Sequence, residues 1–140
     1  MDQYLILQPV AALFLLTALV WLFMYARRLS FILGNSIDPQ SLATPEQLSA
    51  RLPESINNAS NNLKNLFELP VVFYALCVVL LVSQTIDALY LNCAWAFFAL
   101  RVLHSLIHCT VNIVSLRFLA YILSSLVLWF MVVRLALSIF

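Results

Sequence analysis

The sequence predicts an all-α membrane protein: a four-transmembrane-helix up-down bundle, formed as a single domain over residues 1–140. Three observations predict it. Of the 140 residues 64% are hydrophobic and only 9% charged, whereas a soluble domain is about half apolar and about a quarter charged. The apolar residues are gathered into four runs, and the links between the last three are only a few residues long. A chain this small leaves much of its surface uncovered on folding, so lipid is the solvent that suits it. Backbone groups in lipid must be satisfied within the segment, which makes the runs helices.

The first run covers Tyr4 to Ala26 and ends in Arg27-Arg28. The helix is expected to continue to Leu33, with Gly34 as its C-terminal stop, giving a span over 4–33. No basic region precedes the run and no small-residue cleavage site follows it, so it does not read as a cleaved signal peptide. The long polar stretch is 35–62. Within it Thr44-Pro45-Glu46 reads as an N-cap, a proline at the first helical position and an acid in the first turn. A short helix to about Leu52 follows. Pro53-Glu54 can start another that runs directly into the second span, leaving 57–65 as either a polar helix extension or a loop. The sequon Asn58-Ala59-Ser60 is expected to be a chance match.

The second run, Leu66 to Ser83, reaches the roughly 20 residues of a span only if Glu68 and Pro70 enter with it. The span is placed at 63–84. The third lies at 89–114 and the fourth at 117–139. The connections 84–88 and 115–117 make consecutive helices antiparallel neighbours. Arg27, Arg28, Arg51, Lys64 and Arg117 flank the loop end of the bundle, while Asp2 and Asp87 lie at the other. The basic residues predict a multi-pass protein with the long loop cytoplasmic and both termini outside. Arg134, near the outer end of the last span, is expected to snorkel to the interface.

Charged groups in a bilayer cost about 2.5–3.5 kcal/mol each at its centre, so the polar residues within the spans carry the information. Arg101, His104, His108, Asn112 and Ser115 follow one another at steps of 3, 4, 4 and 3. That is one face of a third helix. Asn65 and Glu68 share a face of the second, and Pro70 frees the carbonyl of Leu66 beside them. Glu68 is expected near the level of His108 to Asn112, and Arg101 nearer the midplane. With Arg27, Arg28 and Arg117 at the same boundary, several arginines oppose one glutamate. These groups either pair among themselves and glue helices together, or line a pocket for a net-anionic ligand. In such a pocket arginine forks would hold carboxylates and Glu68 an ammonium group.

Other chemistries fit less well. His104 and His108 are spaced as metal ligands, but the arginines repel a cation. Asp87 lies at the wrong membrane face for a Ser-His-Asp triad. A proton-coupled exporter needs a central acid, and Glu68 is off-centre. The net charge of +1 says nothing about nucleic acid, and with no basic tail or run no nucleic-acid partner is expected. Cys77, Cys93 and Cys109 lie in apolar runs and read as free buried thiols.

Three local patterns resemble the MAPEG family, the membrane-associated proteins of eicosanoid and glutathione metabolism, and within it the microsomal glutathione transferases. They are Tyr25-Ala26-Arg27-Arg28 at the end of the first helix, Asn65-Leu66-Phe67-Glu68 with Pro70, and Arg101-Val102-Leu103-His104 followed by His108 and Arg117. The resemblance implies a homotrimer that binds glutathione between subunits near the cytoplasmic face and acts on lipophilic small molecules delivered by the bilayer. It assigns Arg28 or Arg27, Asn65, Glu68, Arg101 and His104 to the glutathione site, with Asn112 at the same level. Arg117 and His108 take the catalytic places, an arginine there favouring the reactive thiolate. Two positions depart from the family pattern. His108 stands where transferases often carry a tyrosine, and Asn61 where they tend to carry an arginine. Lys64 offers a charge nearby but is expected to point to a different side of the helix. The family also contains non-catalytic members that bind lipids or partners, and a small transporter is the remaining alternative.

Overall fold

The computed structural model describes residues 2–139. A short 3-10 turn, Gln3–Ile6, leads into α1, Leu7–Gly34; a second, Pro39–Leu42, precedes α2, Pro45–Arg51. Then come α3, Glu54–Leu66, α4, Leu69–Ser83, α5, Ala88–Cys109, and α6, Val114–Ile139. Four helical segments are long and apolar enough to cross a membrane: Gln3–Gly34, Glu54–Ser83, Ala88–Cys109 and Val114–Ile139. No strand occurs among the described residues. The all-α, four-span architecture follows the sequence reading.

Several boundaries differ from it. Gly34 is the last residue of α1, and the left-handed residue that turns the chain is Ser36, with φ 50°. The Ile37 amide closes back on the Ile32 carbonyl at 3.1 Å, which satisfies an end carbonyl without a glycine. Residues 57–65 are helix, so α3 occupies the last third of the expected loop. The second span is bent. Pro70 removes an amide, Glu68 takes φ −96° and ψ −103°, and α4 restarts after the break. Alone, α4 has 15 residues, about 22 Å of helix against about 30 Å of hydrocarbon. The end of α3 must complete the crossing.

The third span stops at Cys109, five residues early. Asn112 stands in the left-handed region at φ 49°, which asparagine tolerates better than most residues. Its amide donates to the Ile107 carbonyl at 2.7 Å, and the Thr110 hydroxyl donates to the Leu106 carbonyl at 2.6 Å. Asn112 and Ser115 therefore leave the expected helix face. Asn112 sits in the connecting turn and Ser115 in α6.

The core runs along the bundle axis, where Phe73 stacks on Phe97 at 4.6 Å, beside Leu13, Leu80, Ala94 and Leu128. Many large apolar side chains on the outside, such as Leu19, Val82 and Leu137, are exposed and suited to lipid. At the end opposite the long loop, Gln3 brackets Ile86 with two hydrogen bonds, 3.1 and 3.0 Å. There Arg134 does not simply snorkel. It forms a fork onto both Asp87 carboxylate oxygens, one at 2.8 Å, and lies 4.2 Å above the Tyr90 ring. Asp87 also caps α5, accepting from the Tyr90 amide at 3.0 Å. The hydrogen bonds from Arg134, and then from the Tyr90 amide, hold the Asp87 carboxyl below the usual carboxylate range. A lowered folded pKa means stabilisation that is fully present above the unfolded pKa and lost as pH falls through the folded one. Asp87→Ala is expected to lower stability by about 1 kcal/mol through the cap alone. Asp87→Asn keeps the cap and is expected to cost less. Thermal melts between pH 3 and 7 should show a smaller loss at low pH for both variants than for the parent; equal slopes would contradict the linkage.

Candidate functional site

The site grows from α3. Asn58, Asn62 and Asn65 lie at steps of 4 and 3, so all three face α5 and the turn after it. The Ser105 hydroxyl donates to the Asn62 side-chain oxygen at 3.3 Å, and the Asn62 amide approaches the Cys109 sulfur at 3.5 Å. The Asn112 amide donates to the Asn58 oxygen at 3.1 Å. Asn65 meets His104 Nε2 at 3.4 Å. This amide ladder seats the C-terminal half of α5 against α3 at the level where the second span bends.

His104 is buried and held at both nitrogens. Its Nδ1 lies 2.9 Å from the Arg117 carbonyl, which can only accept, so Nδ1 carries the proton and Nε2 accepts from the Asn65 amide. His104 is thus placed as a neutral imidazole linking α3, α5 and α6. Arg117 Nη1 donates to the Asn112 side-chain oxygen. A chain of contacts therefore runs from Asn58 through Asn112 to the Arg117 guanidinium.

Arg101 is fully buried at 0% exposure. It donates to the Asn65 carbonyl at 3.3 Å, and its guanidinium lies 5.4 Å from the centre of the Tyr121 ring. Its Nε and Nη1 are buried with no hydrogen-bond partner, as is Nδ1 of His108. Among the described residues the sole ion pair is Arg134–Asp87, at the far end of the bundle. Orphaned donors of this kind are rare in native interiors, and a buried cation without a counter-charge is costly.

A cleft of about 240 Å³ opens beside this network, lined by Asn65, Glu68, His104, Val114, Arg117, Phe118 and Tyr121. Four residues expected from the sequence thus meet in one cleft: Asn65, Glu68, His104 and Arg117. Glu68 is exposed there and forms no ion pair with any of the described residues. Arg101, His108 and Asn112 do not line the cleft but touch residues that do: Arg101 touches Asn65 and Tyr121, His108 touches His104, and Asn112 touches Arg117. Arg27 and Arg28 do not line the cleft. Arg27 is exposed, lies 5.6 Å from the centre of the Phe23 ring and borders an apolar groove. Arg28 turns into a different cavity, which it shares with Asn61 and Lys64. Those two residues line the same cavity, contrary to the expectation that Lys64 points elsewhere; three residues make nearly one helical turn. Tyr121 was missed. Its spacing of four residues from Arg117 was the available signal, hidden because a tyrosine in an apolar run also reads as an interfacial anchor.

Four apolar helices around a polar cleft at one end of the bundle define an integral, multi-pass membrane protein associated with the lipid bilayer. The chain belongs to the MAPEG family, whose profile matches residues 6–137, nearly its whole length. No curated protein and no solved structure matches it.

Proposed function

We propose that the protein binds glutathione, or a closely similar thiol peptide, in the cleft bounded by Glu68 and Arg117, and conjugates it to lipophilic electrophiles. The observation that carries this reading is charge geometry. An unpaired carboxylate and a guanidinium face the same cleft, with the orphaned Arg101 behind them. That pattern matches a zwitterionic ligand with net negative charge. Glu68 would take the ammonium group and the arginines a carboxylate or thiolate. Arg117, oriented by Asn112, would hold the thiolate and raise its fraction at neutral pH. With an aryl chloride, the thiol proton leaves to water, sulfur bonds to the ring carbon and chloride departs. Arg117 would offset the anionic charge throughout.

The cleft is smaller than the roughly 300–1,000 Å³ of a typical ligand site, and Val114 and Phe118 on its rim are exposed. A neighbouring subunit of a homotrimer would complete it. Of the two arginines on α1, Arg27, which is exposed, would be the one to reach across. The concentration of Arg27, Arg28, Arg51, Lys64 and Arg117 at the loop end supports a cytoplasmic location for that end, by the positive-inside rule. Glutathione would enter there while lipid delivers the electrophile.

Purified protein is expected to conjugate a chromogenic aryl halide. Arg117→Ala should reduce turnover by about 100-fold, the scale of losing one preorganised charge-stabilising donor. Arg134→Ala, at the opposite end, should leave turnover close to the parent. If millimolar glutathione neither raises Tm nor is consumed, the reading fails. A non-catalytic reading is favoured by His108, which stands at a position where family transferases often carry a tyrosine and is buried behind the cleft wall. It predicts the Tm shift without turnover.

A further inference from the structure

We infer that the bundle holds a second ligand site, a pocket within the membrane that binds a flat aromatic ketone or quinone, with the Tyr74 hydroxyl donating to its carbonyl oxygen. The cavity is about 330 Å³ and lies between α1 and the bend that joins α3 to α4, a size within the usual range for small-molecule sites. Its walls are aromatic and aliphatic: Phe14, Ala18 and Trp21 from α1, Leu63 from α3, Phe67 at the bend and Tyr74 from α4. No charged side chain lines it, so the site suits an uncharged molecule.

Two features set it apart from an ordinary lipid-facing groove. The first is a free donor. Tyr74 Oη is buried with no hydrogen-bond partner. Thr17, in the same cavity, is close enough to influence it, but no hydrogen bond of normal geometry joins them. The Thr17 proton already goes to the Leu13 carbonyl at 3.0 Å. The tyrosine proton is therefore available, and a buried tyrosine hydroxyl ordinarily finds an acceptor. The second is the concentration of rings. The Phe14 and Tyr74 rings lie 4.6 Å apart at 40° to one another. Phe14, Trp21 and Phe67 are each exposed, so their rings are open to an aromatic guest.

Depth narrows the class. Residues 14–21 lie at the middle of the span Gln3–Gly34. Water is absent there, and the ester oxygens of a phospholipid stay outside the hydrocarbon core. A saturated acyl chain in the pocket would leave Tyr74 unsatisfied. A flat ring bearing a carbonyl oxygen satisfies it and packs among the aromatic walls. The pocket shares no lining residue with the polar cleft, and its test needs no glutathione.

Tm of the full-length protein in a mild detergent is followed while 9-fluorenone or fluorene is titrated in. The two share one three-ring skeleton and differ in the carbonyl. Saturable stabilisation by fluorenone is expected, with fluorene binding about fivefold more weakly, the equivalent of one neutral hydrogen bond. Tyr74→Phe should bring fluorenone down to the level of fluorene, with no loss of Tm in the absence of ligand. Ala18→Leu, which fills the pocket, should weaken both; if it does not fold, the Tyr74→Phe comparison decides alone. Three results would overturn the inference. One is the absence of saturation with either probe, as when a lipid chain or a neighbouring subunit fills the pocket. Another is equal binding of the two probes by the parent. The third is a preference for fluorenone that survives Tyr74→Phe.

Discussion

Arg101→Met is expected to raise the Tm of the ligand-free protein and to abolish its stabilisation by glutathione. The guanidinium is fully buried, with Nε and Nη1 unpartnered. Its contacts are one backbone carbonyl and the face of Tyr121. No carboxylate of the described residues lies within ion-pair distance, Glu68 acting on it only from further off, so most of the desolvation penalty goes uncompensated. Methionine has a similar reach and fills irregular space. Replacement of buried ionic groups by apolar ones of similar volume is neutral or stabilising by about 1–4 kcal/mol, and a gain in that range is the expected result. The same change removes the cation behind the cleft. A ligand present at about 100 times its dissociation constant stabilises by about 2.7 kcal/mol, and that increment should disappear. A variant less stable than the parent without glutathione would mean that Arg101 already has its counter-charge in the assembled protein.

Asn112→Ala is expected to cost about 3 kcal/mol in stability and to lower conjugation at least tenfold. Two effects combine. At φ 49° a residue with a β-carbon and no compensating local hydrogen bond is strained by about 1–2 kcal/mol. The lost carboxamide also accepts from Arg117 and donates to Asn58, and a hydrogen bond to a charged group contributes about 1.5–3 kcal/mol. Asn112→Gly separates the two. Glycine relieves the backbone strain, so it should recover about 1 kcal/mol relative to alanine. It restores no contact to Arg117, so turnover should stay as low as in the alanine variant. Recovery of turnover by glycine would show that the turn conformation, and not the Arg117 contact, supports activity.

The main outline was legible in the sequence because lipid imposes a simple constraint. A run such as Tyr4 to Ala26 has few structures open to it in a bilayer, so the four spans follow from composition and length. The helix start at Thr44 was legible for a local reason. Its capping box, with Thr44 and Gln47 exchanging hydrogen bonds at 3.3 Å, involves neighbours in sequence alone. The cluster of Asn65, Glu68, His104 and Arg117 was legible because polar groups are scarce in such a chain and helical spacing sorts them by face.

Other features depended on where helices end and which partner each side chain finds. Asn112 looked like the next step of a helical stripe, yet α5 stops at Cys109 because a left-handed turn closes on Ile107. Periodicity does not reveal that choice, which arises from competition between one more helical turn and a contact to Asn58 on α3. The paired arginines divided for a similar reason. Successive residues on a helix point about 100° apart, and packing against α3 and the loop decided that Arg28 turns inward while Arg27 faces out. Arg134 finds Asp87 only because α5 and α6 fold back on one another through the connection 110–113, which brings the start of α5 beside the end of α6. Sequence by itself determined the solvent, the number of helices and the list of costly polar groups, because each depends on local composition. The tertiary structure decided which of those groups share a cleft, which remain unpaired and which merely clamp the bundle, because each answer depends on a partner distant in sequence.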